Sequence, residues 1–176
     1  MDQVEIFGGS QVAGRALPHK KQRPGDVALP SDPGGQAKDA GLVFIGRIRT
    51  PWTSKEACPK NLIQARERGG GASLEVDELW HQALTGLEHH SHIMVLYWMD
   101  QARRDLVMQH PPHKDAAVGT FALRSPARPN PVAVATVRLL ALDQAAGRLT
   151  IDAIDCLDGT PLIDLKPWME TIDAAK

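Results

Sequence analysis

Two runs of this sequence concentrate groups that bind anions and move protons. The first, Phe121 to Pro131, sets Arg124 and Arg128 four residues apart among Pro126, Pro129 and Pro131, with Asn130 between the last two prolines. A proline fixes φ and removes a backbone donor, so the run holds its polar groups in a rigid, non-repeating shape. Two guanidinium groups held this way form a fork for a carboxylate or phosphate, or else brace the loop's own carbonyls. Residue types alone leave both readings open. The second run, Asp155 to Pro167, carries Asp155, Asp158, Asp164 and Lys166 around Gly159-Thr160-Pro161. Carboxylates at a strand end can take a proton or bind hydroxyls. Asp before Gly is also an ordinary turn pair, so a structural turn network is the competing reading.

Other motifs carry less. Gly69-Gly70-Gly71 follows no predicted strand and lacks the spacing of a dinucleotide fingerprint, so it reads as a loop. His89, His90 and His92, with His110 and His113 further on, form no H-E-x-x-H, and no C-x-x-C accompanies them. No metal site is expected from them. Cys58 and Cys156 are too few for a disulfide framework and read as two reduced thiols.

A chain of 176 residues forms one domain with room for a real core. A net charge of −1 leaves no global electrostatic footprint for nucleic acid. Locally, residues 41 to 68 carry Arg47, Arg49, Lys55, Lys60, Arg66 and Arg68 against only Glu56 and Glu67. The longest apolar run, Ile93 to Met99, is far shorter than the roughly 20 residues a membrane-spanning helix needs. No basic-then-apolar signal segment opens the chain, and a cytoplasmic protein is expected.

The elements that must position the two polar runs are mostly strands. Residues 1 to 40 hold six glycines and four prolines with little apolar periodicity, and read as a flexible or loosely docked extension. The folded unit is expected over 41–176. Strands are expected at Leu42 to Arg49, Ser73 to Val76, His92 to Trp98, Val118 to Leu123, Val132 to Leu142 and Leu149 to Leu157. Asp77 suits the N-cap of a helix over Glu78 to Thr85, with Leu79, Ala83 and Leu87 on one side and Gly86 at its stop. Residues 100 to 116 are polar, contain Pro111-Pro112, and read as a long loop. Several strands, one or two short helices and few βαβ signals predict a mostly β fold, a small antiparallel barrel.

Taken in order, the motifs resemble the TsaA/YaeB-like family of S-adenosylmethionine-dependent tRNA N6-threonylcarbamoyladenosine methyltransferases. The family's spaced signatures stand here as Ile45-Gly46-Arg47-Ile48-Arg49-Thr50-Pro51, Ser91-His92-Ile93, Phe121 to Pro131, and Asp155 to Trp168. The match covers roughly residues 42 to 173. The resemblance implies a non-Rossmann β-barrel methyltransferase that uses S-adenosyl-L-methionine, acts on tRNA, and forms a homodimer with its cofactor pockets near the subunit interface. Some members carry a long C-terminal domain with no counterpart in these residues.

By position, the resemblance puts cofactor contacts at Pro59, Lys60, Asn61, Asp100, Gln101, Arg124, Val134, Asp152, Ala153, Ile154 and Asp155. Asp155 or Asp158 suits a catalytic base. Arg128, Asn130 and Lys166 suit the substrate's carboxylate or phosphates. This chain departs from the family pattern in several places. Lys60-Asn61 replaces an Arg-Gln pair, Asp100 a histidine, Trp168 a tyrosine, and Val132-Ala133 an Ile-Gly pair. The departures and the neutral charge leave two alternatives. One is a methyltransferase of this fold acting on another nucleic acid or a small molecule. The other is a non-catalytic nucleotide- or RNA-binding barrel.

Overall fold

Alternation along the strands closes them into a barrel, because each has one apolar face that must leave water. The computed structural model describes residues 23–28, 30 and 41–174. In chain order the strands are β1 (Val27–Ala28), β2 (Gly46–Arg49), β3 (Ala72–Val76), β4 (His92–Trp98), β5 (Leu106–Gln109), β6 (Val118–Gly119), β7 (Val132–Asp143), β8 (Arg148–Ile151) and β9 (Pro161–Pro167). Two short helices, α1 (Leu62–Arg68) and α2 (Glu170–Asp173), join them, with 3-10 turns at Glu78–Leu84, Leu87–His89 and Thr120–Ala122. Six strands form a closed antiparallel barrel in the order β2-β3-β8-β7-β4-β9. The mostly β barrel fold expected from the sequence is what the chain adopts.

The barrel interior holds Ile48, Leu74, Ile93, Val95, Val137, Leu149, Ile151 and Leu162, all with no exposed surface. Each such side chain contributes about 1.5 to 3 kcal/mol relative to its exposed state. Gly46 lets β2 lie close on β3. A Cβ there would meet the Glu75 carbonyl oxygen at 2.0 Å, so no other residue fits without moving backbone.

Several expectations are corrected. The 100–116 segment is not all loop, since Leu106–Gln109 forms β5 with both end residues buried. The strand expected to run to Leu123 stops at Gly119, where Thr120 turns into a 3-10 segment and buries its hydroxyl against the Leu106 carbonyl at 2.7 Å. β8 stops at Ile151 rather than Leu157, because the Asp152 carboxylate takes the Arg138 amide at 2.9 Å and ends the ladder. The Leu42 to Arg49 strand begins only at Gly46. The helix at Glu78 is 3-10, with three residues per turn, so Leu84 is buried and Leu79 lies out in water.

Of the expected extension, residues 1–22, 29 and 31–40 lie outside the described residues. Within it, β1 pairs antiparallel with β5, Val27 opposite Met108, and makes β1-β5-β6 a second, three-stranded sheet. Asp26 accepts the His110 amide at 2.8 Å. Gly25, at φ 88°, lies 3.3 Å by its would-be Cβ from the His110 ring.

Candidate functional site

The polar site is built at the end of the barrel where β4 runs out and β8 gives way to the segment Asp152 to Gly159. Asp155 sits between two fully packed residues, Ile154 and Cys156. Their carbonyls are pinned from outside: Trp52 Nε1 donates to the Ile154 oxygen at 3.3 Å, and Thr50 Oγ1 to the Cys156 oxygen at 3.1 Å. The Asp155 backbone is therefore held on both sides. Its Oδ1 accepts a 3.1 Å hydrogen bond from the Tyr97 hydroxyl. Among the described residues, Oδ2 has no hydrogen-bond partner.

Tyr97 is the third inward residue of β4 and the chain's one tyrosine. The unbroken alternation of β4 turns it inward after Ile93 and Val95. Opposite it β9 bulges: Leu96 faces Asp164, but Tyr97 faces Leu162, skipping Ile163. Burial, then the charge of Asp155, pushes the Tyr97 hydroxyl far above its ordinary range, while the Arg124 charge pulls the other way. Tyr97, Asp155 and Arg124 thus share one electrostatic neighbourhood. The Cys58 thiol, next to Pro59, is pushed up by burial and then by Asp155.

Arg124 reaches across to donate through Nη2 to the Val134 carbonyl at 3.2 Å, with its guanidinium otherwise exposed. Two of the expected cofactor residues are therefore joined. Arg128 behaves differently. Its Nε donates to the Ser125 carbonyl at 2.9 Å, and its Nη2 donates to the carbonyls of Leu123 and Thr120. For Arg128 the loop-bracing alternative describes what the guanidinium does. Gln109, buried on β5, pins the same loop from beneath, donating to Thr120 Oγ1 at 3.0 Å and to the Ala127 carbonyl at 2.7 Å.

The remaining predicted residues scatter around this centre. Asp158 has both oxygens occupied, Oδ1 by the Thr50 amide at 3.1 Å and Oδ2 by Arg49 at 3.6 Å. Asn130 Oδ1 accepts a long 3.4 Å bond from Arg104, whose guanidinium lies 5.3 Å from the Trp98 ring centre. Asn61 caps α1, its side chain accepting the Gln64 amide at 2.9 Å, and the Lys60 amide donates to Gln64 Oε1 at 3.0 Å. Pro59, Ala153 and Ile154 are buried, and Gln101 is exposed. Burial raises the Asp100 carboxyl, offset by its own and the Gln101 amides and then by the Arg47 and Lys55 charges. Lys166 pairs with Asp164 at 2.7 Å on the outer face of β9, in register with Met94 and away from Tyr97. The Asp152 carboxylate is bound by Arg66 and Arg138.

Sequence reasoning missed α1, β9 and Tyr97. The Asn61-x-x-Gln64 spacing is a helix-start signal and could have found α1. Tyr97 carries no local signal, because it sits inside an apolar strand.

Comparison with known proteins places this geometry among relatives. The family model described as the tRNA-methyltransferase O N-terminal domain matches residues 47–174. A probable S-adenosyl-L-methionine-binding protein, VirR of Rhizobium radiobacter, is 37% identical over 161 residues, 91% of this chain and 87% of its own length. The Escherichia coli tRNA (adenine(37)-N6)-methyltransferase is 31% identical, over 71% of this chain and 56% of its own. The crystal structure of TrmO from Pseudomonas aeruginosa superimposes with a TM-score of 0.60 at 33% identity, covering 77% of this chain and 58% of that one. The chain thus spans most of the Rhizobium relative and a little over half of the other two.

Proposed function

This chain belongs to the tRNA-methyltransferase O N-terminal domain family, and from that premise we propose that it is an S-adenosylmethionine-dependent methyltransferase of tRNA. The proposed acceptor is N6 of threonylcarbamoyladenosine in the anticodon loop. The observation that carries the reading is the Tyr97–Asp155 hydrogen bond, with Arg124 bonded to Val134 beside Leu96 on the neighbouring strand, in a chain of this family.

The donor set suits S-adenosylmethionine. Its amino-acid head needs a cation for the carboxylate and an acceptor for the amine. The exposed Arg124 guanidinium supplies the first, and the backbone carbonyls of the Asp152–Asp155 segment can supply the second, which leaves the open oxygen of Asp155 for the acceptor. Val134, exposed on β7, offers an apolar contact at the rim. When bound, this cofactor supplies a methyl group activated by a sulfonium.

The residues here would orient the acceptor and handle its proton. A urea-like N6 is a poor nucleophile because its lone pair is delocalised, so losing its proton helps the transfer. Asp155 is the better base of the two candidates, since Asp158 has both oxygens committed to Thr50 and Arg49. Fixing donor and acceptor in line could lower the barrier by about 7 to 11 kcal/mol. Arg104 and Asn130, beside Trp98, offer a polar edge for RNA.

A homodimer fits the row of exposed apolar side chains Val132, Val134 and Leu140 on the outward face of β7. No helix among the described residues is long and apolar enough to cross a membrane. A tRNA substrate would place the protein in the cytoplasm. The test is nucleoside mass spectrometry of tRNA from a deletion strain. Loss of the N6-methyl mark on threonylcarbamoyladenosine supports the reading. An unchanged mark, with S-adenosylmethionine still bound in calorimetry, assigns the protein to another acceptor.

A further inference from the structure

We propose that Tyr97 is a positioning residue of the methyl-transfer site, holding the Asp155 carboxylate through Oδ1 so that Oδ2 is the atom offered to the bound ligands. This deepens the methyltransferase reading and rests on it.

The geometry is over-determined everywhere except at that oxygen. The Asp155 backbone is clamped through the carbonyls on either side, by Trp52 and by Thr50. A short aspartate side chain on a fixed backbone retains two rotations. One hydrogen bond from a rigid donor removes most of that freedom. Tyr97 is such a donor: its ring is packed in the barrel and 4% exposed, and its strand is hydrogen-bonded on both sides, to β7 and to β9.

Tyr97 is the last inward residue of β4, so its ring stands at the end of the barrel where Asp155 lies. Burial holds the hydroxyl protonated, so it acts only as a donor towards Asp155. A phenylalanine would fill the same core volume. What the hydroxyl adds is direction. A buried tyrosine needs a partner for its O–H, and here the partner is the carboxylate of the site.

Three variants decide the matter: Tyr97→Phe, Asp155→Ala and the two combined. Methyl transfer to tRNA and the calorimetric dissociation constant for S-adenosylmethionine are measured for each. Tyr97→Phe is expected to lower kcat about tenfold with KM for tRNA within about twofold, the signature of misplacement rather than lost binding. The dissociation constant is expected to rise about threefold or more. In the Asp155→Ala background the effect of Tyr97→Phe on the dissociation constant is expected to vanish to within about twofold, because residues that act through one another are not additive.

A tyrosine that only braces the core would lower the melting temperature alike in both backgrounds, and its fold-losses would multiply in the double variant. That multiplication overturns the proposal, as does a Tyr97→Phe chain matching the native one in both measurements. If the native chain binds S-adenosylmethionine but leaves tRNA unmethylated, the tRNA reading falls, and the dissociation-constant cycle still decides Tyr97. Absence of binding by the native chain overturns both.

Discussion

The Asp152 carboxylate, with a side chain only 6% exposed, accepts a 2.9 Å hydrogen bond from Arg66 Nε and so ties α1 to the end of β8. The same carboxylate takes the Arg138 amide from β7 at 2.9 Å, with the Arg138 guanidinium at 3.5 Å. One buried group thus links a helix to a strand pair, immediately before the segment that carries Asp155.

Removing it should loosen that corner. Asp152→Ala leaves the Arg138 amide unpaired and Arg66 without its anchor, at a cost of about 2 kcal/mol. For a chain of this size that is roughly 4 to 8 °C in Tm. Arg66→Ala should cost less, because its guanidinium is partly in water. Thermal melts of the two variants check the order. Equal losses would show that the ion pair, not the capped amide, carries the link.

The same residue sets an acid limit. Burial pushes the Asp152 carboxyl up, but hydrogen bonds from Arg66 and the Arg138 amide, with the Arg66 charge, outweigh it and hold it below the ordinary range. A depressed carboxyl adds stability that is present above its unfolded pKa, about 4, and is lost as pH falls through the lower folded value. The gap in Tm between the native chain and Asp152→Asn should therefore be widest near neutrality and close below about pH 4. A gap that stays constant down to pH 3 would refute the assignment.

Arg124 and Arg128, four residues apart, should separate cleanly. Arg124→Ala is expected to weaken S-adenosylmethionine binding about ten- to a hundredfold, the worth of a charge-assisted contact, with Tm nearly unchanged. Arg124→Lys should restore only part of the loss, because an ammonium cannot make the planar fork. Arg128→Ala should lower Tm instead, since its guanidinium is spent on the Ser125, Leu123 and Thr120 carbonyls. Calorimetry and melting on both variants give the answer, and an Arg124→Ala chain that binds within threefold of native counts against the cofactor contact.

The two thiols differ in reach. Cys156 is fully buried, and burial raises its thiol strongly. Cys58 is half-buried and raised by burial, then by Asp155. A thiolate is the reactive form, so both should be sluggish near pH 8. Mass spectrometry after timed alkylation of the native chain should find Cys58 modified slowly and Cys156 untouched. S-adenosylmethionine should slow Cys58 further, because that thiol adjoins Pro59 and feels the Asp155 charge. Labelling of Cys156 before Cys58 would contradict the packing.

How much of this was legible in the sequence depended on how far each segment's own pattern decided its fate. β4 was read with its observed limits and β7 to within one residue, because a long apolar or alternating run has few other ways to bury itself. β9 was hidden by Pro161 and Pro167 at its ends and by Asp164 and Lys166 within it. The prolines stand where they withhold no ladder donor within the strand, and the charges face outward. α1 has seven residues and buries only Ala65, too little for a periodic signal. At the site, the motif order led to Arg124, Val134 and Asp155, while the roles of Tyr97 and Gln109 depend on partners far along the chain.

β1 gives the small sheet a property that matters outside the molecule. β5 lies between β1 and β6, and Met108 is paired on both sides, with Val27 and with Gly119, only while β1 is in place. A strand stripped of one neighbour is a template for any extended chain, including the same strand of another copy. Val27 and Ala28 therefore cover part of an edge that would otherwise be open. A chain trimmed to begin at Gly41 would keep its barrel and offer β5 to its own kind, and its first symptom would be concentration-dependent association rather than unfolding.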